Sequence, residues 1–155
     1  MTVAVGKAVP DFEAASTGAG FSLAAQRGHA VVLYFYPKDN TPGCTTEGSD
    51  FARLHAKFTK AGARVFGISR DSLKSHQNFK EKMAFPFDLL ADPDELVCTL
   101  FGVMKMKNMY GKQVRGIERS TFLIDARGKL AHEWRGVKVP GHADEVLAAV
   151  LALGK

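Results

Sequence analysis

The sequence predicts an α/β fold in which a central mixed β-sheet is flanked by helices on both faces. Three observations predict it: short apolar runs alternate with helical patterns, two late apolar runs flank a turn, and the chain closes on a helical pattern. With 155 residues and 46% hydrophobic content, the chain has the size of one ordinary domain with a full core. We therefore expect residues 1–155 to form a single domain.

The first elements read as a βαβ unit. Residues 31–36 are β-branched and aromatic, which predicts a buried strand. A helix is predicted over residues 45–61, where four residues recur at spacings of three and four: Phe51, Leu54, His55 and Phe58. Residues 63–69 predict a second buried strand. A tight loop is expected at residues 16–20, near the amino end.

The second half adds a helix over residues 72–83 and a short strand over 87–90. Asp92-Pro93-Asp94-Glu95 predicts a helix start in which Asp92 caps, proline takes the first turn and Glu95 reaches back. Residues 119–125 and 129–135 predict a hairpin, and the apolar spacing from Val146 to Leu151 predicts the closing helix. Residues 104–116 are basic and show no clear period. This order of elements is typical of thioredoxin-like folds.

Bulk properties exclude several classes of protein. The amino terminus lacks the pattern of a secretory signal, and no apolar run reaches membrane-spanning length. Cys44 and Cys98 are too far apart for a zinc site and too few for a disulfide framework, which favours a reducing, cytoplasmic setting. The five histidines show no metal spacing, so no metal is expected. The net charge of +5 is spread between acids, densest at Lys105 and Lys107, and indicates a solvated basic surface rather than nucleic-acid binding.

The stretch 37–47 places Cys44 directly after the first strand and at the start of the first helix. An ordinary thiol, with a pKa of about 8.5, is only about 3% ionised at pH 7. Free N–H groups at a helix start favour an anion, and Gly43 lets backbone approach closely. Thr41 is placed to aim its hydroxyl at the sulfur and at a bound substrate oxygen. The sequence therefore predicts a reactive thiolate.

Ionisation contributes only about 2 kcal/mol, so fast chemistry also needs donors that stabilise a leaving group. Arg119, which opens an apolar strand, is the candidate donor. The alternative is an arginine that caps a strand end and pairs with Glu118 or Glu47. Glu47, expected in the first helical turn, is predicted to hold an arginine, although a plain helix-start acid is the alternative.

These residues carry a family resemblance. Pro37-x-x-x-Thr41-x-x-Cys44 is similar to the active-site signature of peroxiredoxins. Tyr-Phe-Tyr-Pro-Lys at 34–38 and Thr-Pro-Gly-Cys-Thr at 41–45 resemble the Q-type, or bacterioferritin comigratory protein, branch. Further matches to that branch are Val-Pro-Asp-Phe at 9–12, Gly-Ile-Ser at 67–69 and Arg-Ser-Thr-Phe-Leu-Ile-Asp at 119–125.

The resemblance implies a thiol peroxidase that reduces hydrogen peroxide and organic hydroperoxides in antioxidant defence. Cys44 would be the peroxidatic nucleophile that becomes a sulfenic acid, Thr41 and Arg119 would bind and polarise the peroxide, and Pro37 would shield the pocket. No metal, haem or flavin is required. A monomer is expected.

The chain departs from many Q-type members at the resolving cysteine, because Ser49 stands five residues after Cys44. Cys98 is interpreted mainly as a semi-buried structural residue, with resolution as the alternative. We therefore predict a one-cysteine cycle in which glutathione, glutaredoxin or thioredoxin reduces Cys44.

Two other functions compete with the peroxidase. A thiol–disulfide oxidoreductase shares the fold but usually needs Cys-x-x-Cys, and Glu47 occupies the second cysteine position. A binding or holdase module with an incidental thiol would have a cysteine no more reactive than free cysteine.

Overall fold

The structure is a computed structural model that describes residues 3–153, apart from the side chain of Met109. Its strands are β1 (Glu13–Ser16), β2 (Phe21–Ser22), β3 (Ala30–Phe35), β4 (Ala63–Ser69), β5 (Asp88–Ala91), β6 (Met104–Met109), β7 (Lys112–Ile117), β8 (Ser120–Ile124) and β9 (Leu130–Arg135). Its α-helices are α1 (Pro42–Lys60), α2 (Leu73–Met83), α3 (Leu96–Phe101) and α4 (His142–Leu153).

Seven strands form one mixed sheet in the order β2-β1-β5-β4-β3-β8-β9. Strands β3, β4 and β5 run parallel, whereas β1 pairs antiparallel with β5 and β8 pairs antiparallel with β3. The predicted hairpin is present as β8 and β9, with Ser120 opposite Arg135. The mixed sheet and the βαβ unit that the sequence predicts are therefore confirmed.

Strand β3 lies at the centre of the sheet and contributes to a core on each face. Val32 and Tyr34 join the core that packs against α1, α2 and α4. Val31 and Leu33 alternate with them and join the core that packs against α3. Because successive side chains of a strand point to opposite faces, a continuous apolar run is what a strand buried on both sides requires.

Two helix starts differ from the sequence predictions. Helix α1 begins at Pro42, three residues earlier than predicted, since proline is favoured in the first helical turn. Helix α3 begins only after Glu95, which has a left-handed φ of 62° and makes no side-chain cap. Asp92 accepts hydrogen bonds from the N–H groups of Val97 and Cys98 instead. Glu95 does not reach back, because it pairs with Arg70 and Arg115.

Residues 104–116, which show no clear period in the sequence, lie within a separate two-stranded sheet of β6 and β7. Met104 lies opposite Ile117, and Met109 opposite Lys112. This hairpin leads directly into Arg119, so its base lies beside the candidate site. Within residues 3–153, no helix combines the length and apolar character needed to cross a membrane.

Candidate active site

Cys44 is the third residue of α1 and lies beyond the carboxyl end of the central strand β3. Thr41 is the N-cap, and its carbonyl accepts a hydrogen bond from the N–H of Thr45 at 2.8 Å. The cysteine therefore occupies the turn whose N–H groups favour an anion, as the sequence predicts. The Cys44 side chain is only 1% exposed, which limits access to the sulfur.

Arg119 reaches Cys44 from the end of the hairpin. Its Nη2 lies 3.4 Å from Cys44 Sγ, and its Nη1 lies 2.6 Å from Glu47 Oε1. The Arg119 carbonyl accepts a hydrogen bond from the N–H of Val137, which fixes its backbone against the loop after β9. One guanidinium thus bridges a thiol and a buried carboxylate that lie three residues apart on α1.

Gly43 provides the space that this arrangement needs. A Cβ atom at this position would lie 3.1 Å from Arg119 Nη2. That distance is tight for a carbon beside a guanidinium that is held by two partners. The close approach expected at Gly43 is therefore the approach of the Arg119 side chain.

Glu47 lies in the second turn of α1, not the first, because the helix begins earlier than predicted. It is 1% exposed, and its Oε2 has no hydrogen-bond partner among the described residues. Burial raises the pKa of Glu47 to about 7, and Arg119 opposes that rise. Burial also acts to lower the pKa of Arg119, but Glu47 and Cys44 outweigh it and raise that pKa. Since an arginine stays protonated, the Arg119 guanidinium places a positive charge beside Cys44 at neutral pH.

Thr41 is placed differently from its expected orientation. Its hydroxyl donates to the carbonyl of Lys38 at 2.9 Å and not to the Cys44 sulfur. The reason is local geometry, because the loop before α1 brings that carbonyl within reach of the hydroxyl. A hydroxyl that donates one bond still offers lone pairs to a second partner. Pro37 is half-buried at the start of the same loop.

A buried network anchors the loop that carries Pro37 and Thr41. Asp39 Oδ2 lies 2.7 Å from His76 Nδ1, and the hydroxyl of Tyr36 donates to Asp39 Oδ1 at 2.6 Å. His76 Nε2 lies 2.8 Å from the carbonyl of Leu90. The Nδ1 of His76 thus faces a carboxylate and its Nε2 faces a backbone carbonyl, so the ring links the loop to β5. Sequence reasoning missed this network, because its members come from separate elements.

The same network contains a set of three side chains with metal-ligand atoms. Asp39, Asp71 and His76 each offer one such atom, and these atoms lie within 4.8 Å of one another. However, Asp71 accepts from the N–H of Asp39, and both nitrogens of His76 are occupied by protein acceptors. These contacts fit an internal hydrogen-bond network better than a metal site.

Cys98 lies on the other side of the sheet from Cys44. Cys44 belongs to the core that packs against α1, whereas Cys98 belongs to the core that packs against α3. Cys98 is fully buried, not semi-buried, and burial together with Asp92 raises its thiol pKa. A thiol in these surroundings is protonated and inert.

The chain is similar to known proteins over most of its length. The model of the AhpC/TSA family matches residues 5–133. Peroxiredoxin Bcp of Xanthomonas campestris is 59% identical over 140 residues, which are 90% of this chain and 88% of that protein. Peroxiredoxin Bcp of Bacillus subtilis is 47% identical over 148 residues, which are 95% of this chain and 94% of that protein.

Solved structures show the same fold. A structure of Xanthomonas campestris bacterioferritin comigratory protein, described by its alkyl peroxide reduction activity, has a TM-score of 0.88 and 55% identity over 93% of this chain and 92% of that one. Two structures of Xanthomonas campestris peroxiredoxin Q carry serine in place of one or the other of two cysteines that lie 36 residues apart. The chain therefore belongs to the AhpC/TSA family and, within it, to the thiol peroxidases named peroxiredoxin Bcp.

Proposed function

We propose that Cys44 is the peroxidatic nucleophile of this peroxidase and that hydrogen peroxide and organic hydroperoxides are its substrates. The Cys44 thiolate attacks one peroxide oxygen, the O–O bond breaks, and the second oxygen leaves as hydroxide or alkoxide and takes up a proton. The sulfur becomes a sulfenic acid. The observation that carries the proposal is the Arg119 guanidinium, which lies 3.4 Å from the sulfur.

The neighbouring side chains have distinct roles in this step. Arg119 donates to the leaving oxygen and stabilises the charge that develops on it. Thr41 accepts the peroxide O–H through the lone pairs that its bond to Lys38 leaves free. Glu47 holds Arg119 in place, and Pro37 shields the pocket from water.

We further propose a one-cysteine cycle in which an external thiol reduces the sulfenic acid. Ser49 stands five residues after Cys44, at the usual position of a resolving cysteine. Lys80 stands 36 residues after Cys44, which is the spacing of the two mutated cysteines of Xanthomonas campestris peroxiredoxin Q. Neither position is a cysteine in this chain. Lys80 is instead paired with Asp88 at 2.6 Å. Cys98 is separated from Cys44 by the sheet, so their pairing would require unfolding of one face.

Glutathione, glutaredoxin and thioredoxin are the proposed external reductants. Two free cysteines in the chain are consistent with a reducing, cytoplasmic location. Cys44, Glu47 and Arg119 come together within one chain, which supports action as a monomer built from a single domain. A thiol–disulfide oxidoreductase is less well supported, because Glu47 holds Arg119 at the position where such an enzyme needs its second thiol.

Trapping the product of one oxidation tests the one-cysteine cycle. The reduced protein is mixed with one equivalent of hydrogen peroxide, treated with a sulfenic-acid reagent and mapped by mass spectrometry. We expect label at Cys44, none at Cys98 and no disulfide between them. Cys98→Ala should leave the rate of this first oxidation unchanged. A Cys44–Cys98 disulfide in the wild-type protein would overturn the proposed cycle.

A further inference from the structure

Lys107 is a further positive charge beside the candidate active site. It lies on β6, opposite Val114, and its ammonium group donates to the carbonyl of Ile117, two residues before Arg119. A Cβ atom at Gly116 would lie 3.8 Å from Lys107 Nζ, so the lysine lies along the backbone that leads to Arg119. Its half-buried side chain therefore lies along β7 towards the end that leads to Arg119.

The charges of this region interact. Burial lowers the pKa of Lys107, and the nearby charge of Arg119 lowers it further, whereas Cys44 and Glu118 act in the opposite direction. The Glu118 carboxylate forms no ion pair with Lys107. Its Oε2 lies beside Gly136, where it would be 3.9 Å from a Cβ atom. These directions agree with the contact that places Lys107 on the backbone leading to Arg119.

Carboxylates are paired with the buried or half-buried arginines of this region. Arg119 is paired with Glu47 at 2.6 Å, and Arg70 is paired with Glu95 at 3.1 Å. Among the ion pairs of residues 3–153, Lys107 has no carboxylate partner. Its ammonium group donates one hydrogen bond to the Ile117 carbonyl and therefore has donors left for an incoming anion.

The hairpin of β6 and β7 is a positively charged segment beside the candidate site. Residues 104–117 contain four basic residues and no aspartate or glutamate, namely Lys105, Lys107, Lys112 and Arg115. An anion that approaches Cys44 from this side therefore meets a positively charged segment at the edge of the site.

We propose that Lys107 recognises the carboxylate of a small anionic thiol and guides that thiol to the sulfenic acid of Cys44. The inference rests on the one-cysteine cycle and specifies its reductant as a thiol that carries carboxylates, of which glutathione is the probe. The thiol attacks the oxidised sulfur, which forms a mixed disulfide and releases water. A second thiol then attacks the disulfide, which restores Cys44 and releases the oxidised thiol.

The test compares three thiols that differ in charge: glutathione, neutral 2-mercaptoethanol and cationic cysteamine. Each is mixed with protein whose Cys44 has been oxidised by one equivalent of hydrogen peroxide, and loss of the sulfenic acid is followed by stopped-flow and mass spectrometry. The variants are Lys107→Gln and Lys107→Glu. Lys57→Glu is the control, because it changes the same charge at an exposed position about 20 Å away along α1.

For glutathione we expect the rate to fall about threefold in Lys107→Gln and about tenfold in Lys107→Glu, with no change in Lys57→Glu. The rate with 2-mercaptoethanol should stay constant, and the rate with cysteamine should stay constant or rise. High salt should bring the wild-type glutathione rate close to that of Lys107→Gln.

Equal changes for all three thiols would overturn the role of Lys107. So would faster reduction by a thioredoxin-class protein that Lys107→Glu leaves unaffected. Failure of the proposed cycle itself is distinguishable, because then no sulfenic acid accumulates on Cys44 before any thiol is added.

Discussion

Replacing Arg119 with alanine is expected to lower the rate constant for oxidation of Cys44 by hydrogen peroxide about a hundredfold to a thousandfold. The change removes the donor that lies 3.4 Å from the sulfur and is aimed at the oxygen that leaves. Loss of one such donor typically costs that factor in catalysis. Stopped-flow measurement of the first oxidation step, with no reductant present, isolates this effect.

The same substitution leaves Glu47 buried without its cation, so stability must be measured alongside the rate. Arg53→Ala is the matched control, because it also removes an arginine that is paired with a carboxylate. Arg53 forms an exposed ion pair with Asp144 and has no role in the Cys44 site. We expect that control to retain the wild-type rate. Arg119→Lys should recover part of the loss, because it keeps a charge but not the two-armed contact. A wild-type rate in folded Arg119→Ala would contradict the assigned role.

Replacing His76 with phenylalanine is expected to lower the free energy of unfolding by about 3–5 kcal/mol. His76 is fully buried, and the change removes the ring nitrogen that lies 2.7 Å from the carboxylate of Asp39, which is also buried. Denaturation with urea measures the loss. The rate of peroxide reduction should fall as well, because Asp39 anchors the loop that carries Thr41.

His29→Phe is the matched control, since His29 is exposed, and we expect a change of less than about 0.5 kcal/mol. The effect of His76→Phe should depend on pH. Burial acts to raise the pKa of Asp39, but the hydrogen bonds from His76 and Tyr36 outweigh it and lower that pKa below 3.8. This stabilisation is present above the unfolded value and disappears as the pH falls through the folded value. If the difference in unfolding free energy between wild type and His76→Phe did not shrink on acidification, the contact between His76 and the Asp39 carboxylate would not be its cause.

The sequence predicts those elements whose hydrophobic pattern is set by burial alone. Strand β3 is apolar throughout because both of its faces are buried, and the period of α1 reflects one packed face. The position of Cys44 at a helix start follows from these two predicted elements, because the cysteine lies between them. Bringing Arg119 to Cys44 is different, because no local pattern relates residues that are 75 positions apart. The position of Arg119 at the start of an apolar strand makes it a candidate, and the resemblance to peroxiredoxins favours that candidate.

The features that sequence reasoning missed depend on tertiary contacts. The hairpin of β6 and β7 lacks an alternating pattern because much of it is exposed, with Met106 60% and Val114 42% accessible. The start of α3 was placed too early because Glu95 forms ion pairs that the local sequence does not specify. The sequence shows that Lys105 and Lys107 are close together, but it does not show that the Lys107 side chain contacts the backbone next to Arg119.

The most direct test of the account is the rate at which Cys44 reacts with hydrogen peroxide at pH 7. The measurement uses the Cys98→Ala protein, so that one thiol is present, with free cysteine as the reference and Cys44→Ser as the blank. We predict that the protein thiol reacts at least about a hundredfold faster than free cysteine and that the blank shows no reaction. A rate equal to that of free cysteine would contradict the account, because the helix start and Arg119 would then not activate the sulfur.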